Sequence, residues 1–236
     1  MPVVPSGRKA RRMHLLVAAA GVLALVAGAA FLLGRPKIEG STPNERIRSI
    51  SELADEHRWG AGDVIAEAAA REPDPTVRRA AIIGLGKFLG PEYRPAVEAG
   101  TRDPSPVVRS AAAGVLALYK DDAATDKLME LLAKDPDSQV RAASGDSLNQ
   151  LGTPKSLVVL LEAAEKDGDP NVQVHAANLF LGRFGREHAG ARPQDKGHWS
   201  NLIEYMKGLP GVEQAYAGLG RKLERRPGDR IIQPGD

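Results

Sequence analysis

The sequence predicts an all-α fold, a stack of helical hairpins preceded by one transmembrane helix. Three observations lead to this prediction. Aromatic residues make up only 4% of the chain while hydrophobic residues make up 42%, a composition that suits closely packed helices better than a sheet. An uncharged apolar run fills residues 15–33. A short motif then recurs about every 30 residues, as stacked repeats require.

The apolar run is long enough to cross a membrane. Its 19 residues span about 28 Å as a helix, close to the roughly 30 Å hydrocarbon core of a bilayer. A basic cluster at residues 8–12 precedes it. Because positive charge stays on the cytoplasmic side, we expect a cytoplasmic N-terminus over 1–14, a membrane helix over 15–34 and the rest outside. This describes a single-pass protein of a bacterial inner membrane.

A cleaved signal peptide is the alternative interpretation of the same run. Ala27-Gly28-Ala29 has the small-x-small pattern of a cleavage site. The apolar run continues to Leu33, however, which is long for the hydrophobic region of a signal peptide. An uncleaved anchor is therefore favoured, and a secreted protein remains the alternative.

The charge of the chain is distributed unevenly. Residues 1–37 hold six of the 32 Lys and Arg residues and none of the 30 Asp and Glu residues. The remainder is therefore net negative, which argues against nucleic acid as a partner. The chain also has no cysteine, which excludes disulfides, thiolate metal sites and a Cys nucleophile.

A Pro- and Gly-containing linker is predicted over 35–42, and repeats follow over 43–185. In four of the five repeats an acidic residue and a Pro precede a β-branched residue, a basic residue and two small residues. The first repeat is a degenerate copy that lacks the acid at the expected place. The basic position is read as Arg48, Arg78, Arg109, Arg141 and His175. Asp and Pro suit the start of a helix, so each motif predicts one helix. A second helix per repeat is predicted over 62–71, 92–101, 123–134 and 154–166.

These motifs resemble the short HEAT repeats named after bacterial phycobilisome lyase subunits. The resemblance covers residues 43–185 and implies a right-handed α-solenoid of HEAT-like hairpins. It also implies that the acid and base six residues apart tie adjacent repeats in an internal ladder. The ladder residues would be Glu72 and Arg78, Asp103 and Arg109, Asp135 and Arg141, and Asp169 and His175, the last pair carrying His in place of Arg.

The C-terminal part departs from the repeat. A loop is expected at 186–197, followed by helices at 198–207 and 212–225. Together, residues 186–226 would cap the solenoid and bury Trp199 and Tyr205, and 227–236 would form a polar flexible tail.

No catalytic constellation emerges from the sequence. The five histidines include no i, i+4 pair on a predicted helix, so no metal site is predicted. Gly84-Leu85-Gly86 lies inside a repeat helix instead of between a strand and a helix, so it does not predict a dinucleotide site. We therefore expect no cofactor.

Solenoids bind partners along a face built from equivalent helices. The expected face combines few charges with some apolar side chains, which suits a protein or peptide partner. Its residues would be Arg79, Ile82, Ser110, Ala113, Asp146, Asn149, Phe180 and Arg183. The main functional hypothesis is a non-enzymatic, membrane-anchored interaction scaffold. The alternatives are a lyase-like enzyme or enzyme subunit and a secreted repeat protein.

Overall fold

A computed structural model describes residue 34 and residues 36–186 and 190–225 of the protein. The predicted transmembrane segment lies outside these residues, apart from Gly34. Among the described residues, every helix is too short or too polar to cross a bilayer.

The described chain is helical throughout its regular structure. Five helices carry the repeated motif, and we call them signature helices: α1 (Pro43–Glu56), α3 (Pro75–Leu85), α5 (Pro106–Leu116), α7 (Ser138–Leu151) and α9 (Pro170–Gly182). Four companion helices lie between them: α2 (Ala61–Arg71), α4 (Arg94–Gly100), α6 (Asp122–Lys134) and α8 (Pro154–Lys166). Two further helices, α10 (Lys196–Gly208) and α11 (Val212–Gly218), follow.

The signature helices begin where the motif predicts. Asp74, Asp137 and Asp169 are N-caps whose carboxylates accept hydrogen bonds from backbone N–H groups of the first helical turn. Pro occupies the start of α3, α5 and α9, where its missing N–H costs no helical hydrogen bond. Counting from the cap therefore gives a common register for all repeats.

The hairpins stack into two layers around one core. Each companion helix packs on the signature helix that follows it, and successive signature helices pack side by side. In α1 the eighth and eleventh positions after the cap are buried, and in α3, α5, α7 and α9 the third, seventh, eighth and eleventh positions are all buried. In α5 these are Val108, Ala112, Ala113 and Leu116, all fully buried. The seventh position is Ser or Ala in every signature helix, and these small side chains let neighbouring helices approach closely.

The predicted companion helices agree with the observed ones to within two residues. The last helix is shorter than predicted, because α11 ends at Gly218 and not near residue 225. Gly220 follows with a φ of 65°, a left-handed conformation that ends helices and that glycine adopts without strain.

Both ends of the stack are covered by non-repeat segments. At the N-terminal end, Pro36 is buried and Ile38 packs against the core. At the C-terminal end, α10 and α11 pack on α8. Trp199 of α10 is 6% exposed, and its indole Nε1 donates to the Ala164 carbonyl at 3.1 Å. Tyr205 packs partly buried against the same core.

Candidate functional site

A ladder of ion pairs runs between the repeats. Arg109 of α5 donates through Nε and Nη2 to the two carboxylate oxygens of Asp135, at 2.8 and 2.9 Å. Asp135 belongs to the turn before the next signature helix. Nη1 of the same guanidinium donates to the carbonyls of Asp103 and Pro104, at 2.9 and 3.1 Å. The expected pairing of Arg109 with Asp103, six residues before it, is corrected by this geometry. Asp103 contributes only its backbone carbonyl to Arg109, and Asp135 of the next repeat contributes the carboxylate.

Two further rungs repeat this geometry. Arg78 forms the same fork with Asp103, and Arg141 forms it with Asp167, at 2.8 to 2.9 Å. Both also donate to the carbonyl of the acid in their own repeat, Glu72 or Asp135. The six side chains of the three rungs are 4–13% exposed. At such burial, a charged pair is tolerated only when its hydrogen bonds are satisfied.

Each ladder carboxylate also orders the turn that holds it. The N–H groups of Ser105, Asp137 and Asp169 donate to the ladder carboxylates two residues before them, at 2.8 to 3.0 Å. Burial raises the pKa of the Asp103 and Asp135 carboxyls, but the bonds from arginine and backbone lower it by more. Both pKa values lie below the ordinary range.

The fourth predicted pair is also corrected by the structure. Asp169 does not pair with His175, because its carboxylate caps α9 through the Asn171 N–H at 2.8 Å. His175 Nε2 instead contacts Asp146 Oδ1 of α7, at 2.8 Å. The residues at the ladder positions of this repeat are Asp167, which accepts from Arg141, and Gln173.

The first repeat carries a rung that the sequence analysis missed. Arg46, and not Arg48, lies four residues after its cap, and its Nε is 3.1 Å from Glu72 Oε2. With Arg46 and Gln173 included, the ladder positions 46, 78, 109, 141 and 173 are spaced by 32, 31, 32 and 32 residues. This regular spacing, together with the constant distance from the cap, was the signal available in the sequence.

The predicted interaction face is only partly exposed. Arg79 and Asp146 are exposed, and Ser110, Asn149 and Arg183 are half-buried. Ile82, Ala113 and Phe180, in contrast, are fully buried and cannot contribute to a binding surface. A signature helix packs against its companion and against the signature helices beside it, so its buried arc is wider than the motif alone indicates.

The exposed surface of the signature helices lies at other positions. Residues nine positions after the cap are exposed in every signature helix, and those six positions after it are half-buried or exposed. The contact of His175 with Asp146 joins a sixth to a ninth position across neighbouring helices. We call these rows the open face: Arg48, Ser51, Ala80, Ile83, Ala111, Gly114, Ala143, Asp146, His175 and Asn178.

The histidines that the structure describes are dispersed. His57 contacts the backbone carbonyls of Asp55 and Lys87, His175 contacts Asp146, and His198 contacts Asp195. Within 36–186 and 190–225, His, Asp and Glu side chains do not converge in a group of three that could hold a metal ion.

The repeat sequence matches a known family. A family model for HEAT repeats matches residues 38–113, 62–149 and 125–191. No curated protein matches the chain. Among solved structures, the complex of CpcE and CpcF of phycocyanin lyase from Nostoc sp. PCC7120 matches with 18% identity and a TM-score of 0.39, over 76% of this chain and 90% of that chain. Since the family model covers more than half of its residues, the chain belongs to the HEAT-repeat family.

Proposed function

We propose that the protein is a membrane-anchored scaffold that holds a HEAT solenoid outside the cytoplasm for binding another protein. In this proposal residues 1–14 are cytoplasmic, 15–34 cross the membrane and 35–42 lead to the solenoid. Residues 43–185 form the repeats as a right-handed superhelix, 186–226 cap them and 227–236 form a free tail. The binding surface is the open face.

Support for the anchor comes from the sequence. The uncharged run at 15–33 has the length of a membrane-spanning helix, and the basic cluster at 8–12 sets its orientation. The test is fractionation of the full chain in a bacterium, with protease added to intact spheroplasts. We expect to find full-length chains in the membrane fraction, and we expect the added protease to digest the solenoid in intact spheroplasts. A soluble product beginning near Ala30 would replace the anchor with a cleaved signal peptide.

Support for protein binding comes from the continuity of the open face. It runs across five signature helices without interruption, because those helices pack side by side in one row. Continuous faces of this kind are the surfaces that solenoid proteins use to bind partners. This continuity is the single observation on which the binding proposal rests.

The chemistry of the face favours a polypeptide ligand. Its middle consists of Ala80, Ile83, Ala111, Gly114 and Ala143, which carry no charge. Ile83 is 42% exposed and is the largest apolar side chain in this middle part of the face. Small side chains allow the backbone of a bound segment to approach closely, and exposed aliphatic carbon offers it a place to bury apolar groups.

Gly114 provides a precise test of the face. An added Cβ at this helical residue would meet open space, and replacing glycine in a helix gains up to about 1 kcal/mol in propensity. Gly114→Arg should therefore leave the fold intact while placing a long cation in the middle of the face. Gly218→Arg, at a helical glycine of α11 that is equally open, is the matched control.

The measurement is photocrosslinking in intact cells from a photoreactive residue placed at Ile83. We expect a discrete adduct that disappears when Gly114→Arg is added and persists when Gly218→Arg is added. An adduct that survives Gly114→Arg unchanged would show that binding occurs elsewhere. The absence of any adduct at Ile83 would contradict the open face as the binding surface.

A further inference from the structure

One tryptophan of the repeat domain points into solvent. Trp59 lies in the turn between α1 and α2, and it is 71% exposed. Trp199, by contrast, is 6% exposed. Burying an indole contributes a large favourable free energy. An exposed Trp therefore indicates a surface that a membrane or another molecule can cover.

The chain brings Trp59 close to the end of the predicted membrane helix. A Cβ added to its neighbour Gly60 would lie 3.6 Å from the Pro36 ring. Pro36 is three residues after Leu33, where the apolar run ends. An extended chain of three residues spans at most roughly 11 Å, so Pro36 lies within that distance of Leu33. The turn that carries Trp59 is therefore held beside the point where the chain would leave the bilayer.

A second apolar side chain lies on the adjacent turn. His57 and Phe88 have ring centroids 5.2 Å apart, and His57 Nε2 lies 3.3 Å from the Lys87 carbonyl. These contacts join the α1–α2 turn to the α3–α4 turn. Leu89, next to Phe88, has a left-handed φ of 47° and is 42% exposed. The same edge of the solenoid thus carries both Trp59 and Leu89.

The charges on this edge largely cancel. Lys87 forms an ion pair with Asp55, and the Arg58 guanidinium is 3.9 Å from the Glu56 carboxylate. Attraction to anionic lipid headgroups would require an excess of basic residues. The edge is therefore suited to apolar contact with the interfacial zone and not to electrostatic adsorption.

We propose that Trp59, with Leu89 beside it, inserts into the interfacial layer of the membrane and fixes the solenoid against the bilayer surface. This inference rests on the proposed anchor. Tryptophan concentrates in this layer, where its ring is buried and its N–H stays hydrated. The headgroup region extends about 5–8 Å beyond the hydrocarbon core, within the reach set by residues 33–36.

The test uses the full chain reconstituted into phosphatidylcholine vesicles, with lipids brominated near the headgroup end of the acyl chains. Bromine quenches an indole that it contacts. Wild-type protein should lose emission relative to the same protein in unbrominated vesicles, and the loss should persist at raised salt. Trp59→Phe should abolish most of that loss, because the remaining Trp199 is buried in the solenoid.

A reporter at a different surface provides the matched control. Val107 is 41% exposed and lies in the first turn of α5, at the opposite ends of the signature helices from Trp59. In a Trp59→Phe background, Val107→Trp should show no quenching by brominated lipid. Equal quenching at both positions would mean non-specific adsorption and would overturn the proposal.

Flotation of the vesicles separates this inference from the proposed anchor. Protein that fails to float with vesicles after an alkaline wash lacks the anchor, and both proposals then fail. Protein that floats while Trp59 remains unquenched by bromine and accessible to aqueous acrylamide keeps its anchor but not the interfacial contact. That second result would overturn this inference alone.

Discussion

At the scale of single residues, the ladder places largely buried ion pairs between successive repeats. Each guanidinium of the three well-formed rungs makes a planar two-bond contact with a carboxylate and further bonds to backbone carbonyls. Such forks require arginine, because lysine cannot present paired donors in one plane. The cost of burying the two charges is thereby offset only while both partners are present.

Arg109→Ala is expected to destabilise the protein by about 3–5 kcal/mol, because it leaves the carboxylate of Asp135, 4% exposed, without its partner. Urea unfolding of the full chain in mild detergent measures this change. Arg71→Ala is the matched control. Its i, i+4 pair with Glu67 is 78% and 57% exposed, so a loss below about 0.5 kcal/mol is expected. Equal effects of the two changes would contradict the structural role of the ladder.

The ladder should also make stability depend on pH. The pKa values of Asp103 and Asp135 are lowered in the folded state, so their contribution is present above the unfolded pKa of about 3.9 and is lost as pH falls through the folded values. Asp103→Asn should therefore be less stable than wild type at pH 7. The difference between the two in urea midpoint should shrink below about pH 4. A constant difference down to pH 2 would contradict this linkage.

Residue chemistry also explains which rungs the sequence could predict. In three repeats the ladder acid is followed by Pro, as in Asp103-Pro104, so the motif can be aligned on that dipeptide. In the last repeat the acid is followed by Gly168, and Pro170 follows the capping Asp169 instead. Alignment on Asp-Pro then slips by two residues, from Gln173 to His175. The regular spacing of the ladder positions and the observed start of α9 at Pro170 both restore the register.

At the scale of helices, the space around a glycine shows how closely neighbouring helices pack. A Cβ at Gly145 of α7 would lie 3.5 Å from Leu179 and 3.6 Å from Leu160, which are ordinary contact distances. A Cβ at Gly100, the last residue of α4, would lie 2.8 Å from Ile82 and 3.2 Å from Ala112. The first site has room for a methyl group, and the second does not.

Gly145→Ala is therefore expected to stabilise the protein by up to about 1 kcal/mol through helix propensity. Gly100→Ala should show no such gain and should destabilise by about 1–3 kcal/mol through overpacking. Thermal and urea unfolding of both variants distinguish them. A destabilised Gly145→Ala would mean that α7, α8 and α9 pack more tightly than the structure shows.

The extent of helix burial limited the prediction of the binding face. The motif predicted Val77, Val108 and Val140 as core residues, and all three are fully buried. It did not reveal that the eighth position after the cap, occupied by Ile82 and Ala113, is also buried. That information depends on the companion helices of neighbouring hairpins, since Ile82 lies against Gly100 of α4. The spacing of apolar residues within one helix does not reveal such contacts between helices.

At the scale of the whole molecule, a stack of repeats needs covered ends. Trp199→Ala should cost about 3–5 kcal/mol, because it removes a buried indole and its bond to Ala164 from the C-terminal cover. Trp59→Ala, at a side chain that is 71% exposed, should change the free energy of unfolding by less than about 0.5 kcal/mol. Denaturant titration compares the two. If Trp199→Ala lost as little stability as Trp59→Ala, α10 and α11 would contribute little to the fold.

The two ends of the ladder differ from its middle in a way that affects self-association. Each internal repeat has an acceptor for the repeat before it and a donor for the repeat after it. The first lacks the acceptor, with Gly40 at that position, and the last lacks the charged donor, with Gln173 there. Head-to-tail polymerisation requires complementary ends on every molecule. Neither half of a rung is left over at the two ends of the described repeats, so the ladder offers no complementary pair through which one solenoid would stack on the next.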